Sequence, residues 1–306
     1  MNKTAQQVRL IHNPNAGQKD FSKTSLGKLI KKEGFGIDYV SSEKKSLTDI
    51  KPDTAFIAIA GGDGTIRKTI IRLLDKKLRL KRPIALLPMG TANNIATSLG
   101  ISENVRQNVS SWKDFNIRKF DIGQISSVAG TSFFLESFGF GIFPKLMKQM
   151  EDYQRPESAS TEEELGYALD LLYRITTQYR ARKCTLEFEG KIIEDKFLMI
   201  EVMNISRLGP NLKLAEDADP GDGFFDVVLV RENQRQPLCN FIADTIKGKT
   251  SPFPIKPIQT KSLKVKWNGK DCHTDDQRIS LLKKKQLSIN LMHSLIEVIV
   301  ENNKLQ

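Results

Sequence analysis

The stretch Ile57-Ala58-Ile59-Ala60-Gly61-Gly62-Asp63-Gly64-Thr65 constrains the fold more than any other part of the chain. Phe56 to Ala60 is a short, unbroken apolar run, which suits a strand covered on both faces inside a parallel sheet. Three glycines follow within four residues. Ile66 to Leu74 then alternates apolar and basic residues at helical spacing. Strand, glycine turn and helix in that order let an anion approach bare backbone beside free N–H groups and a positive helix end. A carboxylate at Asp63 is repelled by phosphate, so it reads as a group that meets a magnesium ion or takes a proton from a nucleophile. Alone, such a turn is equally a plain tight connection.

The rest of the first half repeats the pattern. Val8 to His12 reads as a strand running into the turn formers Asn13-Pro14-Asn15-Ala16-Gly17. A helix is expected over Phe21 to Glu33, ended by Gly34 and Gly36, then a strand over Ile37 to Val40 with Ser41-Ser42-Glu43 at its end. The helix after Gly61 is expected from Thr65 or Ile66 to about Lys77. Pro83 to Pro88 is a fourth buried strand, opening into Met89-Gly90-Thr91-Ala92-Asn93-Asn94 before a helix over Ile95 to Leu99. Alternating strands and helices imply a parallel α/β sheet, whose ligands collect beyond the carboxyl ends of the strands. Asn13, Ser42, Gly62 and Thr91 converge there.

From Phe120 onward the pattern becomes β-rich: Phe120–Ile125, Ser132–Phe138, Cys184–Glu189, Lys196–Asn204, Phe224–Arg231, Lys261–Trp267 and Gln286–Leu291. Many strands with short turns suggest an antiparallel sandwich or barrel. Helices are expected at about Phe143 to Met150 and Glu162 to Gln178, the second opened by a capping box of Thr161 with Glu164. Its face of Leu165, Ala168, Leu169, Leu172 and Ile175 reads as core. The polar link Glu151 to Thr161, with Pro156, Ser158 and Ser160, reads as a mobile loop. Leu295 to Val300 is strand-like and returns to the first domain. The expected division is therefore 1–121 with 294–306, and 122–293.

Lys+Arg exceed Asp+Glu by 47 − 36 = 11 in 306 residues. Such an excess attracts polyanions, anionic membranes included. The basic residues are scattered, with no recognition helix or aromatic platform, so nucleic acid is not expected. Cys184, Cys239 and Cys272 are far apart and lack CxxC spacing, which suggests reduced thiols rather than a disulfide framework or zinc site. Met1 to Gln7 is polar without a signal-peptide core, and no apolar run approaches a membrane span. The expectation is a cytoplasmic protein that works on a membrane from its surface. Lys283-Lys284-Lys285 reads as a solvated turn, or as a membrane-facing one.

Taken together, Asn13-Pro14 with Gly17, Gly61-Gly62-Asp63-Gly64-Thr65 and Pro88-Met89-Gly90-Thr91-Ala92-Asn93-Asn94 resemble the catalytic domain of the diacylglycerol kinase, sphingosine kinase and bacterial lipid kinase family. Asp219-Pro220-Gly221-Asp222-Gly223-Phe224-Phe225-Asp226 looks like that family's acidic loop entering a strand. His273-Thr274-Asp275-Asp276-Gln277 stands where these kinases carry Asp-Gly-Glu. The resemblance covers nearly the whole chain. It implies a Rossmann-like parallel α/β domain followed by a predominantly antiparallel β-sandwich domain, with ATP in the cleft between them and a lipid hydroxyl as phosphate acceptor. It further implies nucleotide contacts from Asn13, Ser42, Gly61, Gly62, Gly64, Thr65, Gly90, Thr91, Asn93 and Gln277. Asp63 and Asp275 would be the catalytic carboxylates, either of them the base. Asp222, with the carbonyls of Asp219 and Phe224, resembles a magnesium site of oxygen ligands that suit a hard cation.

This chain departs from the family pattern at several positions. Asn94 stands for the usual Asp, Glu216 for a Pro, Glu136 for an Asn, and Asp276 and Gln277 for the Gly and Glu of Asp-Gly-Glu. Loss of that glycine is expected to shift the loop, because Asp tolerates positive φ less well. Gln277 can hydrogen-bond but carries no charge. Two other readings stay open: an NAD kinase, which shares the Gly61 turn, and a homologue that binds nucleotide or lipid without transferring phosphate. An edge strand could also pair across a homodimer without leaving a sequence signature.

Overall fold

A computed structural model describes residues 5–16, 21–75, 82–127, 130–153, 160–280 and 286–302. Gly17, Lys76, Lys77, Pro156, Ser158 and the Lys283 to Lys285 run, which the sequence reading used, lie outside the described residues. The chain divides into two compact units, Met1–Phe120 with Ser294–Gln306, and Asp121–His293.

The first unit holds β1 (Gln7–His12), α1 (Lys23–Lys32), β2 (Gly36–Ser41), β3 (Thr54–Gly61), α2 (Asp63–Asp75), β4 (Ile84–Pro88), α3 (Asn94–Ser98), α4 (Val105–Ser111) and the start of β5 (Phe115–Ser127). β1 pairs in parallel with both β2 and β3, and β3 with β4. Late in the chain, Val298 pairs in parallel with Ile84 beside β4. The apolar runs are central because both faces are covered: Phe56, Ala58 and Ala60 pack with Leu26, Ile30 and Trp112 in one core. The rings of Phe56 and Trp112 meet edge to face at 5.2 Å. Burying each such side chain contributes about 1.5–3 kcal/mol. Helix α4 was not anticipated, since its apolar content is slight; Asn104 starts it, its side chain accepting the N–H groups of Arg106 and Gln107.

The second unit continues with β6 (Gly130–Phe134), β7 (Ser137–Gly141), α5 (Ile142–Glu151), α6 (Thr161–Gln178), β8 (Arg182–Phe188), β9 (Lys191–Met203), the short β10 (Arg207–Leu208) and β11 (Leu212–Lys213), and β12 (Phe225–Arg231). Then come α7 (Arg235–Ile246), β13 (Ile258–Thr260), β14 (Ser262–Trp267), β15 (Asp271–Thr274), β16 (Gln277–Ser280) and β17 (Gln286–Glu301). The long strand β9 serves two antiparallel sheets. Its first half pairs with β8, which continues to β14 and β17. Its second half lies between β7 and β12, flanked in turn by β15 with β16 and by β13.

Inward side chains of both sheets, among them Phe138, Phe140, Val202, Phe225, Val265 and Trp267, form one core, as expected for a sandwich. The outer face of β9 and β12 carries Met199, Met203, Val228 and Val230 against helices α5, α6 and α7. Leu169, Leu172 and Ile175 of α6 sit in this second core, and Ala168 is buried. The capping box lies one residue earlier than expected. Ser160, in extended backbone, accepts the Glu163 N–H, and the Glu163 carboxylate accepts the Ser160 N–H. The expected strand over Ser132 to Phe138 is broken at Leu135 and Glu136, and α7 was not anticipated. Cys184, Cys239 and Cys272 are free and buried.

Candidate active site

In the first unit, parallel register brings the ends of β1 to β4 level: His12 is opposite Ser41 and Ala60, and Gly61 is opposite Pro88. The turns that follow therefore share one end of the sheet. Asn13 donates its side-chain N–H to Thr65 Oγ1 at 3.0 Å, tying the first turn to the first turn of α2. Ser42 donates its N–H to the His12 carbonyl at 2.9 Å and its carbonyl accepts from Arg72. Helix α2 begins at Asp63, two or three residues before the expected start, so Gly64 and Thr65 lie inside it.

The glycines here are required by space. A Cβ on Gly90 would lie 2.6 Å from the Gly62 Cα, and one on Gly62 would lie 2.9 Å from the Gly90 Cα. The two turns thus touch backbone to backbone. A Cβ on Gly61 would strike the Thr65 side chain at 2.6 Å. Asp63 fastens the same two turns: its carboxylate accepts the N–H groups of Asn94 at 2.8 Å and Ile95 at 3.2 Å, capping α3. Asn93, with left-handed φ of 51°, accepts the Gly90 N–H and donates to the Gly90 carbonyl within its own turn, and also donates to the Glu103 carboxylate at 3.3 Å. Thr91 is exposed at the tip of that turn. His12, beside Asn13, is buried, and burial lowers its pKa.

In the second unit, Asp275 sits at the tip of the two-residue hairpin between β15 and β16. Its carboxylate accepts the N–H groups of Leu135, Glu136 and Ser137 at 2.7–3.1 Å, and its own N–H bonds the Ser137 carbonyl. The break between β6 and β7 exists to present these three donors. The backbone is left-handed at Asp275, φ 50°, and not at Asp276. The expected penalty for losing a glycine at Asp276 therefore does not arise; the hairpin puts its positive φ one residue earlier, where a short Asp side chain tolerates it. Gln277 is exposed and pairs with Thr274. Glu136 is buried, contributing its backbone to the Asp275 nest.

Beneath this hairpin lies a pair that the sequence reading missed. His273, Gly139 and Glu201 are in register across β15, β7 and β9. A Cβ on Gly139 would fall 2.0 Å from the Glu201 carboxylate, so glycine makes the gap through which Glu201 reaches His273. Glu201 Oε2 and His273 Nε2 are 2.9 Å apart, and His273 Nδ1 donates to the Asp275 carbonyl at 3.0 Å. Both residues are at most 1% exposed. Burial pushes the Glu201 carboxyl up. For His273 burial acts downward, but the Glu201 charge and hydrogen bond prevail and raise it. Both groups are thereby held toward their protonated forms. A lone Glu in the apolar run from Phe197 to Met203 was the available signal.

The loop at Asp219 to Phe224 is held by turns of its own: Asp219 accepts the Gly221 N–H and Asp222 the Phe224 N–H, both at 2.9 Å. Buried Asp121 braces it, accepting the Gly223 N–H and bonding His293. Burial first, then repulsion from Asp219 and Asp121, raises the Asp222 pKa. Asp226 is pushed up to about 6 by burial and by Asp222 and Asp217. No cluster of three or more His, Cys, Asp or Glu ligands occurs among the described residues. A site there would rest on one carboxylate and backbone carbonyls, and the mutual repulsion is of a kind that a dication relieves. Glu216 is exposed and paired with Lys213 at 2.7 Å.

Parallel strands ending in two apposed glycine turns, followed by an antiparallel sandwich, define an α/β plus β protein with a glycine-turn site. Two family models match in tandem: the diacylglycerol kinase catalytic domain over residues 7–125, and the YegS C-terminal NAD kinase beta sandwich-like domain over residues 152–276. The diacylglycerol kinase of Bacillus subtilis (strain 168) is 24% identical, covering 94% of this chain and 87% of that protein. That of Staphylococcus aureus (strain MRSA252) is 22% identical over 81% and 78%. A solved diacylglycerol kinase structure from Bacillus anthracis str. Sterne has the same fold, with TM-score 0.72 at 20% identity, over 98% of this chain and 99% of that one. Residues 7–125 thus carry the diacylglycerol kinase catalytic domain and residues 152–276 the YegS C-terminal sandwich-like domain, and the homologues indicate a lipid kinase. The NAD kinase and non-transferring readings are not favoured.

Proposed function

We propose that this chain moves the γ-phosphate of ATP to the hydroxyl of a diacylglycerol-like or sphingoid lipid at a membrane surface. The observation that carries this reading is the backbone contact of Gly62 with Gly90, clamped by Asp63. It leaves a bare peptide surface at the sheet end where helix α2 begins, suited to a phosphate chain. Phosphoryl transfer asks for positioning and charge neutralisation more than covalent chemistry. Asn13, Ser42, Gly61, Gly64, Thr65 and Thr91 would hold the nucleotide, with Asn93 keeping the Gly90 turn in shape. Asp63 fixes the two turns relative to each other, and Asp275, oriented by three backbone N–H groups, takes the proton of the lipid hydroxyl. Gln277 would offer a neutral hydrogen bond near the nucleotide.

Asp222, with the carbonyls of Asp219 and Phe224, would hold a magnesium ion; all three donors are oxygens, which suits that cation. A bound ion there would neutralise the acidic loop. A thermal shift separates this from catalysis: Mg2+ raises the melting temperature of the wild type and leaves Asp222→Asn unmoved. An equal shift in both removes the site.

The kinase reading is tested with radiolabelled ATP and mixed lipid extracts, with identification of the product. Wild-type protein labels a lipid. Asp63→Asn and Asp275→Asn stay folded and lose turnover, and Asp275→Asn still binds ATP. Wild-type turnover in either variant contradicts the assignment of that residue.

A further inference from the structure

The second unit has an open groove of about 1240 Å³ between α5, the end of α6 and the turn from β14 to β15. Its rim carries the cations Lys145, Arg174, Arg180, Arg182 and Lys270, and no acidic residue lines it among the described residues. All five are exposed, and among the described residues none forms an ion pair. By contrast Lys196, Arg231, Lys264 and Arg278, also on this unit, each face a carboxylate. The floor is apolar: Leu171 and Ile175, one helical turn apart on α6, lie with Trp267, which is 2% exposed. Arg235 holds the carboxyl end of α6 in place by donating to the carbonyls of Thr176 and Tyr179. Arg174, Arg180 and Arg182 are therefore presented from a fixed frame.

We infer that this groove binds the phosphate headgroup of an anionic phospholipid in a bilayer. Concentrated positive charge without carboxylates selects a phosphate oxyanion, and guanidinium forks match its geometry. An apolar floor beneath the charges suits the glycerol and first methylenes of a lipid more than a free ion. The choice of a lipid, over a soluble phosphate, rests on the lipid-kinase reading. None of these residues belongs to the machinery assigned to phosphoryl transfer, so the groove serves to hold the enzyme on its substrate's surface.

The test is co-sedimentation of the whole chain with phosphatidylglycerol and phosphatidylcholine vesicles. The variants are Arg174→Gln/Arg180→Gln/Arg182→Gln, and a control that removes the same charge from α1, Lys28→Gln/Lys31→Gln/Lys32→Gln. Each cation near an anionic surface is worth about fivefold in binding, so the groove triple is expected to bind phosphatidylglycerol vesicles roughly a hundredfold more weakly. The control should lose far less, and the wild type should bind phosphatidylcholine poorly. Equal losses in the two triples overturn the inference, leaving only net charge. So does wild-type binding in the groove triple. If glycerol 3-phosphate stabilises the wild type against heat but not the groove triple, and vesicle binding is unchanged between them, the occupant is a soluble phosphate and the inference fails. Turnover of short-chain diacylglycerol in neutral micelles is read separately. The groove triple keeps it; its absence in the wild type would sink the kinase reading without touching the vesicle result.

Discussion

The buried pair of Glu201 and His273 gives the chain a calculable dependence of stability on pH. Unfolded at pH 7, the two groups hold no titrating proton, since free Glu and His ionise near 4.3 and 6.5. Folded, each is raised, which favours one proton held between them. Both groups thus bind protons more tightly in the fold. The stability gained through His273 is fully present below about pH 6.5 and is lost as pH rises through the folded value, whereas that gained through Glu201 is fully present only below about pH 4.3. Uptake of one proton on folding gives a slope of about −1.4 kcal/mol per pH unit in that window.

From pH 6.5 to 8.5 the loss reaches about 2.3 kcal/mol if the folded pair keeps its proton throughout, since at pH 6.5 the unfolded His is still half protonated. His12 is lowered by burial, so its own effect falls below pH 6.5 and leaves the window clear. Cys184, pushed up to about 12 by burial, contributes a falling slope only where an unfolded thiol ionises, so the comparison stops near pH 8.5. Glu201→Gln keeps the shape and can donate its amide N–H to a neutral His273. Urea unfolding of wild type and variant at half-unit steps across the window is the assay. The wild type should lose stability steeply relative to the variant. Parallel curves would refute a shared proton.

Three further outcomes follow from the geometry. Gly139→Ala displaces the Glu201 carboxylate and should cost about 3 kcal/mol, much of it recovered when combined with Glu201→Ala; a double-mutant cycle by chemical denaturation reads the coupling. Gly90→Ala pushes backbone against backbone at Gly62, so loss of ATP binding by calorimetry is expected, with destabilisation of about 1–3 kcal/mol. Ser160→Ala should cost about 1 kcal/mol in thermal unfolding, whereas Thr161→Ala costs little, because Ser160 is the cap.

Much of the first unit was legible because its signals are local. An apolar run of strand length, a glycine turn and a helical period sit next to one another along the chain, and β1 to β4 follow them closely. The sandwich strands were legible for the same reason, through alternation such as that of β14, where buried and exposed residues strictly take turns. Boundaries failed where a partner far away decides them. The break at Leu135 and Glu136 is set by Asp275, and the start of α2 by a carboxylate that caps a helix 31 residues on.

By itself, then, the sequence determined which segments are strands, which turns are glycine-rich, and which family the motifs resemble. Only tertiary structure decided what the charged groups do. Glu201, Gly139 and His273 carry no shared local pattern; strand register alone makes them one row, and burial together with the Glu201–His273 contact raises both pKa values. Asp63 and Asn93 read as ligand contacts, yet their hydrogen bonds brace the turns themselves. The cause is physical: propensity and periodicity act over a few neighbouring residues, whereas a buried charge is set by whichever groups the fold brings within 3 Å of it.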